Sequence, residues 1–238
     1  WRPIVTNVFH DPIDIFDRHL YEKGSLVLHM LRGELGDEAF FRCIQRYVRD
    51  HVEQNVITQD LVDTIAAETG RSLEWFFDQW VYRAGHPRLK VSWSWDDGTG
   101  LATVSVRQLQ DTKEGTPIFR LPVTVDFRKG RGKPQVFRVE ITRADERFIF
   151  PLPWKPDLCR FDPYGWLLNE LEWEKSAAEL RLQLRDDDSI FGRAWAAGEL
   201  GKKGGAETVA ALEAAVTGDR WWGVQAAAAK ALGDIRTT

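Results

Sequence analysis

The sequence is poor in the residues that announce most chemistries. Only two cysteines, Cys43 and Cys159, occur in 238 residues, and they lie far apart. They could pair, but two reduced, buried thiols are the simpler reading; that suits a cytoplasmic protein and excludes a disulfide scaffold. No apolar run approaches the roughly 20 residues needed to cross a bilayer, which argues against a membrane protein. Positive charge is not in excess: the net charge is −4, and no basic cluster or aromatic–basic interleaving stands out. Nucleic acid is therefore a poor partner. No Gly-rich phosphate loop, G-x-S-x-G elbow or C-x-x-C pair occurs. Of the five histidines, His10, His19, His29, His51 and His86, none stands in an H-E-x-x-H pattern, so that zinc motif is absent. Carboxylates are plentiful, but without a partner geometry they read as solvated charges.

What is present divides into three stretches. Residues 1–86 read as helical. Leu20, Val27, Leu28, Leu31 and Leu35 recur at helical spacing, and Gly36-Asp37 ends one helix and caps the next. A second helix carries Phe40, Cys43, Ile44, Tyr47 and Val48 as one stripe. Thr58 is the expected N-cap of a third helix, which faces Leu61, Val62, Ile65 and Ala66 inward and stops at Gly70. Ser72 is the expected cap of a fourth, with Leu73, Phe76, Phe77, Trp80 and Val81 on one face.

After Gly85-His86-Pro87 the period changes. Leu89, Val91, Trp93 and Trp95 alternate with polar residues, and Asp96-Asp97-Gly98 turns the chain into a second strand. Strands continue through Phe119–Phe127, Phe137–Ile141, Phe148–Phe150 and Leu158–Phe161. Six or seven strands without a helix predict an antiparallel β-sandwich over residues 87–173.

Residues 174–238 are helical and repetitive. Gly192-Arg193-Ala194-Trp195-Ala196-Ala197-Gly198-Glu199-Leu200-Gly201 aligns without gaps on Val224-Gln225-Ala226-Ala227-Ala228-Ala229-Lys230-Ala231-Leu232-Gly233, an offset of 32 residues. Small residues on a packing face suit stacked helix pairs resembling HEAT-type repeats. A single alanine-rich bundle is the alternative. The chain opens on Trp1-Arg2-Pro3 and closes on Thr237-Thr238, ends that read as boundaries within a longer polypeptide.

One local pattern stands apart. In Tyr21-Glu22-Lys23-Gly24 the tyrosine is followed one turn on by Gly24 and Ser25, both small, which leaves its ring and hydroxyl accessible. A phenol is protonated at neutral pH and can donate to a developing oxyanion. A buried tyrosine bonded to a backbone carbonyl is the competing reading.

Here a resemblance enters. Tyr21-Glu22-Lys23-Gly24 with Val27-Leu28 and Met30-Leu31-Arg32 resembles the Y-E-K-G-x-x-V-L-x-M-L-R segment of gluzincin (thermolysin-like) zinc aminopeptidases of the aminopeptidase N type. Gly36, Phe40, Tyr47 and His51, then Thr58-Gln59-Asp60-Leu61, then Phe76-Phe77-Asp78-Gln79-Trp80 and Gly85-His86-Pro87, resemble later motifs of that family in the same order. The resemblance implies a multidomain α and β protein: the helical end of a thermolysin-like catalytic domain, a sandwich, and HEAT-like repeats. It also implies a parent enzyme that removes N-terminal residues from peptides. Tyr21 would then hydrogen-bond the tetrahedral intermediate formed by attack of zinc-activated water. The zinc, its ligands, the general base and the amine-gripping glutamates would belong to segments not present here, so the fragment itself is expected to be inactive. A non-catalytic scaffold of the same fold, binding protein partners through its HEAT-like repeats, is the alternative implied.

Overall fold

The computed structural model describes residues 2–113 and 115–236; Trp1, Thr237 and Thr238, the ends noted above, and Glu114 lie outside them. Four helices open the chain: α1 (Gly24–Leu35), α2 (Asp37–Asp50), α3 (Thr58–Thr69) and α4 (Glu74–Phe77), the last continuing as a π-helical turn, Asp78–Tyr82. Gly36 breaks α1 from α2 at φ +79, a left-handed conformation that a side chain would strain. Asp37 and Glu38 then place negative charge at the positive end of α2.

The caps differ from expectation. Ile57, not Thr58, stands at the N-cap of α3, and Asp60 Oδ2 reaches back to accept from its N–H at 2.7 Å. Leu73, not Ser72, precedes α4. The buried stripes are narrower as well. On α2, Phe40 and Cys43 are buried with Ile44 against them, while Val48 is 59% exposed. At 100° per residue Val48 sits about 80° round from Phe40, off the packed face. Leu28 is exposed for the same reason, about 100° round from buried Val27.

Seven strands follow: β1 (Arg88–Asp96), β2 (Leu101–Gln108), β3 (Leu121–Arg128), β4 (Gln135–Ile141), β5 (Asp145–Pro151), β6 (Leu158–Phe161) and β7 (Glu170–Trp173). They form two sheets, β5-β2-β1-β7 and β4-β3-β6. The sandwich is antiparallel with one exception: β7 runs parallel to β1, pairing Arg88 with Glu170 through Val91 with Trp173. The connection from β6 through residues 162–169 carries the chain back to the start of β1, so β7 enters in the same direction. Period-two burial gives the inner face, with Leu89, Val91, Ala102, Val104, Val106, Leu121, Val123, Val125 and Phe127 all buried.

One hydrophobic core runs unbroken from α1 through β7, including the Trp80 and Phe119 rings at 4.8 Å. A two-way amide bond closes that seam. Gln79 Nε2 donates to Arg120 O, and Arg120 N–H donates to Gln79 Oε1, both at 2.9 Å.

Helices α5 (Ala177–Asp186), α6 (Ile190–Lys203), α7 (Ala206–Gly218) and α8 (Trp222–Arg236) complete the fold around a second core of Leu180, Leu184, Leu200, Leu212, Val224 and small alanines. The two aligned decapeptides lie on α6 and α8, which pack on each other. A Cβ added at Gly201 would come within 2.9 Å of Ala231 Cβ, so a small residue is needed there. The 32-residue offset also governs the polar contacts before these helices. Arg193 Nη1 donates to Asp187 O at 2.9 Å, and its counterpart Gln225 Nε2 donates to Asp219 O at 2.7 Å.

A candidate oxyanion-binding turn at Tyr21

Tyr21 lies in a turn of π-helix, His19–Lys23, that leads into α1. Single π turns often mark functional positions, because the extra residue pushes one side chain out of the regular helical row. Tyr21 is 59% exposed, and its hydroxyl makes no hydrogen bond among the described residues. The accessible reading of the sequence is thus the one realised. Its ring leans towards Phe16, centroids 6.4 Å apart.

The turn is held by Asp17. Its carboxylate accepts from Arg2 Nε and Nη2 at 3.1 and 2.6 Å. It also accepts from the backbone N–H of His19 and Leu20 and pairs with His19 Nδ1 at 2.9 Å. Desolvation opposes ionisation, but the bonds from His19, Arg2 and the two amides outweigh it and hold the Asp17 carboxyl well below the usual range. Lys23 anchors the other end by donating to Arg83 O at 3.3 Å, and burial pulls its amine down to about 8. The phenol is free while its backbone is fixed at both sides. Nothing in the sequence signalled this anchoring, since Arg2 and Asp17 are 15 positions apart.

Gly24 does not serve a close approach: a Cβ there would meet nothing within 4 Å. Three further histidines take ordinary partners. His29 bonds Gly165 O and stacks on Trp166, His51 bonds Tyr47 O, and His86 bonds Glu170. Cys43 and Cys159 are free and buried. Among the described residues no three His, Cys, Asp or Glu side chains come together to hold a metal ion, so these residues do not fit a zinc site. No helix among them is long and apolar enough to cross a membrane.

The class defined by this arrangement is a multidomain α and β protein: a helical unit fused to a sandwich, then stacked helical repeats. Comparison with known proteins finds matches over two stretches of the chain. Residues 2–80 match the peptidase family M1 domain and residues 177–238 match HEAT repeats. The aminopeptidase resemblance is thereby borne out, and of the two readings of the alanine-rich helices the repeats are the correct one.

Tricorn protease-interacting factor F2 of Thermoplasma volcanium is 30% identical over 151 residues, 62% of this chain and 18% of that protein. Aminopeptidase N of Lactococcus lactis is 36% identical over 74 residues, 31% of this chain and 9% of that protein. The chain thus spans less than a fifth of either relative. The crystal structure of Legionella pneumophila aminopeptidase A in complex with aspartic acid superposes with a TM-score of 0.78 at 15% identity. It covers 94% of this chain and 27% of that one, a likeness of fold.

Proposed function

We propose that this chain is the C-terminal part of a zinc metallo-aminopeptidase of the gluzincin type, in which Tyr21 donates a hydrogen bond to the oxyanion formed when water adds to the peptide carbonyl. Residues 1–86 form the end of the catalytic domain, residues 87–173 the sandwich and residues 174–238 the HEAT-like repeats. The observation that carries the reading is an exposed phenol, its hydroxyl without a hydrogen bond among the described residues, on a doubly anchored turn inside the stretch matching the peptidase family M1 domain. A donor fixed before the charge develops needs no reorganisation, and one such donor contributes about 3–4 kcal/mol, or about 10²–10³-fold in kcat. The zinc ligands and the general base are assigned to sequence outside these 238 residues, and the isolated chain is inactive. Its two free, buried thiols suit a reducing, cytoplasmic setting.

The test is hydrolysis of aminoacyl-p-nitroanilides by the full-length parent, with and without chelator, beside Tyr21→Phe. Chelator-sensitive activity whose kcat falls about 100-fold in the variant with KM little changed is the expected result. Equal kcat in the two enzymes removes Tyr21 from the chemistry.

A second reading, a non-catalytic scaffold, draws on the HEAT repeats and on a relative whose name describes it as a protease-interacting factor. On that reading the parent hydrolyses none of the substrates, and its partners bind at residues 174–238.

A further inference from the structure

The joint between sandwich and repeats holds a cleft of about 410 Å³ that Tyr21 and its turn do not touch. Five arginines line it beside four aspartates: Arg128 at the end of β3, Arg131 in the β3–β4 turn, Arg185 at the end of α5, Arg220 between α7 and α8, and Arg193 of α6, whose donors are taken by Asp219 and the Asp187 carbonyl. Arg128 is 8% exposed and holds Asp188 Oδ2 through Nη2 at 2.6 Å. Its Nε is buried without a partner, and its Nη1 makes no hydrogen bond among the described residues. A buried, unsatisfied guanidinium nitrogen is costly, and such a group calls for an explanation.

Three of the others also keep donors in reserve. Arg131 and Arg185 each use Nε and Nη2 on Asp186, leaving both Nη1 groups unused. Arg220 makes one long contact, Nη2 to Asp188 O at 3.4 Å. Among the side chains lining the cleft, the guanidiniums of Arg128, Arg131, Arg185, Arg193 and Arg220 outnumber the carboxylates of Asp186, Asp187, Asp188 and Asp219 by one.

We propose that this cleft binds a phosphate-type oxyanion, which bridges the sandwich to the first helical repeats. Spare N–H donors converge from several elements on one site, in surplus of positive charge. A tetrahedral oxyanion presents oxygens in as many directions, whereas a planar carboxylate serves one fork. The bound anion would give Arg128 a second anchor and link Arg128 and Arg131 on one side to Arg185 and Arg220 on the other.

The test uses the 238-residue chain with inorganic phosphate, followed by calorimetric titration and by Tm against sodium chloride of equal ionic strength. Saturable binding is expected, with Tm rising about 3 °C or more per tenfold increase in phosphate above Kd. Arg131→Gln with Arg220→Gln should abolish the phosphate effect while keeping the fold, because Asp186 retains Arg185 and Arg220 gives up only its long contact. Lys202→Gln with Lys203→Gln, which removes the same charge from the far end of α6, should leave the effect intact. The proposal is overturned if phosphate does no more than chloride or if the double arginine variant responds like the parent chain. A response to citrate larger than that to phosphate overturns the phosphate assignment.

Discussion

Lys175 sits just after β7 with its ammonium buried, donating to Cys159 O at 2.6 Å and to Gln183 Oε1 at 2.8 Å, over the Trp173 ring at 4.0 Å. Burial pulls its pKa down from 10.5 to about 8, because a charged amine loses its water shell while the bonds it gains repay only part of that loss. With a folded pKa below the unfolded one, the unfolded chain holds more protons between the two values, so stability rises with pH there. From pH 8 to 9 the gain from Lys175 integrates to about 1 kcal/mol. Cys159 works against it: burial pushes its thiol above its ordinary value, so the unfolded chain loses a proton that the folded chain keeps. That takes back about 0.3 kcal/mol over the same interval. Lys23, also lowered to about 8 by burial, adds in the direction of Lys175. Urea unfolding at pH 8 and 9, followed by far-UV circular dichroism, should therefore show the midpoint moving up. Lys175→Met leaves two acceptors unpaired at a cost of about 1–3 kcal/mol each, so it is less stable at either pH. The decisive quantity is the slope, which should fall by about 1 kcal/mol per pH unit. Parallel pH dependences in the two proteins would refute the account.

Arg160→Met should be among the most damaging single changes. The side chain is 3% exposed and pairs with Asp126 and Asp187, both fully buried, and with Asp188. Stranding those carboxylates costs about 3–5 kcal/mol, a Tm loss of about 6–20 °C by calorimetry. At Gly33 an added Cβ would lie 2.7 Å from Trp166 Cδ2, so Gly33→Ala should cost about 1–3 kcal/mol and shift tryptophan emission as the indole is displaced. Asp17→Asn should speed amide exchange at His19 and Leu20, whose N–H groups the carboxylate holds. In the unaltered chain the same turn should loosen as pH falls from about 4, because Asp17 ionises more readily folded than unfolded and its support is lost on protonation. Elemental analysis of the purified chain should find no stoichiometric zinc, and a tightly bound equivalent would contradict the fit of these residues.

The helices and strands were legible because burial follows their periods. Phe40, Cys43 and Ile44 on α2 and Leu89 and Val91 on β1 repeat at 3.6 and 2 residues, and they are the residues packed inside. Where the pattern misled, the reason lies in angle or direction. Val48 satisfied the stripe by spacing but sits too far round the cylinder. β7 was not read as a strand of its own: it has only four residues and borrows its partner β1 from 82 positions upstream. The cap at Ile57 was missed because a hydroxyl residue suits the N-cap by propensity, whereas here Asp60 supplies the acceptor from inside α3.

What no periodicity could report is how the pieces are joined. Arg2 meets Asp17 beneath the Tyr21 turn, Gln79 meets Arg120 between α4 and the sandwich, and Arg160 meets Asp187 between the sandwich and the repeats. The last two pairings cross a change of pattern, and all three use polar side chains that read in isolation as solvated surface. The repeat shows why the last is more than an incidental contact. Asp187 and Asp219 are equivalent by the 32-residue offset, and Asp219 receives Arg193 from the preceding helix pair. Asp187 has no earlier repeat to serve it, and Arg160 of β6 supplies the guanidinium instead. The sandwich therefore caps the stack with the same ion pair that the repeats use among themselves, which fixes the first helix pair to β6 and places the arginine-lined cleft at the joint.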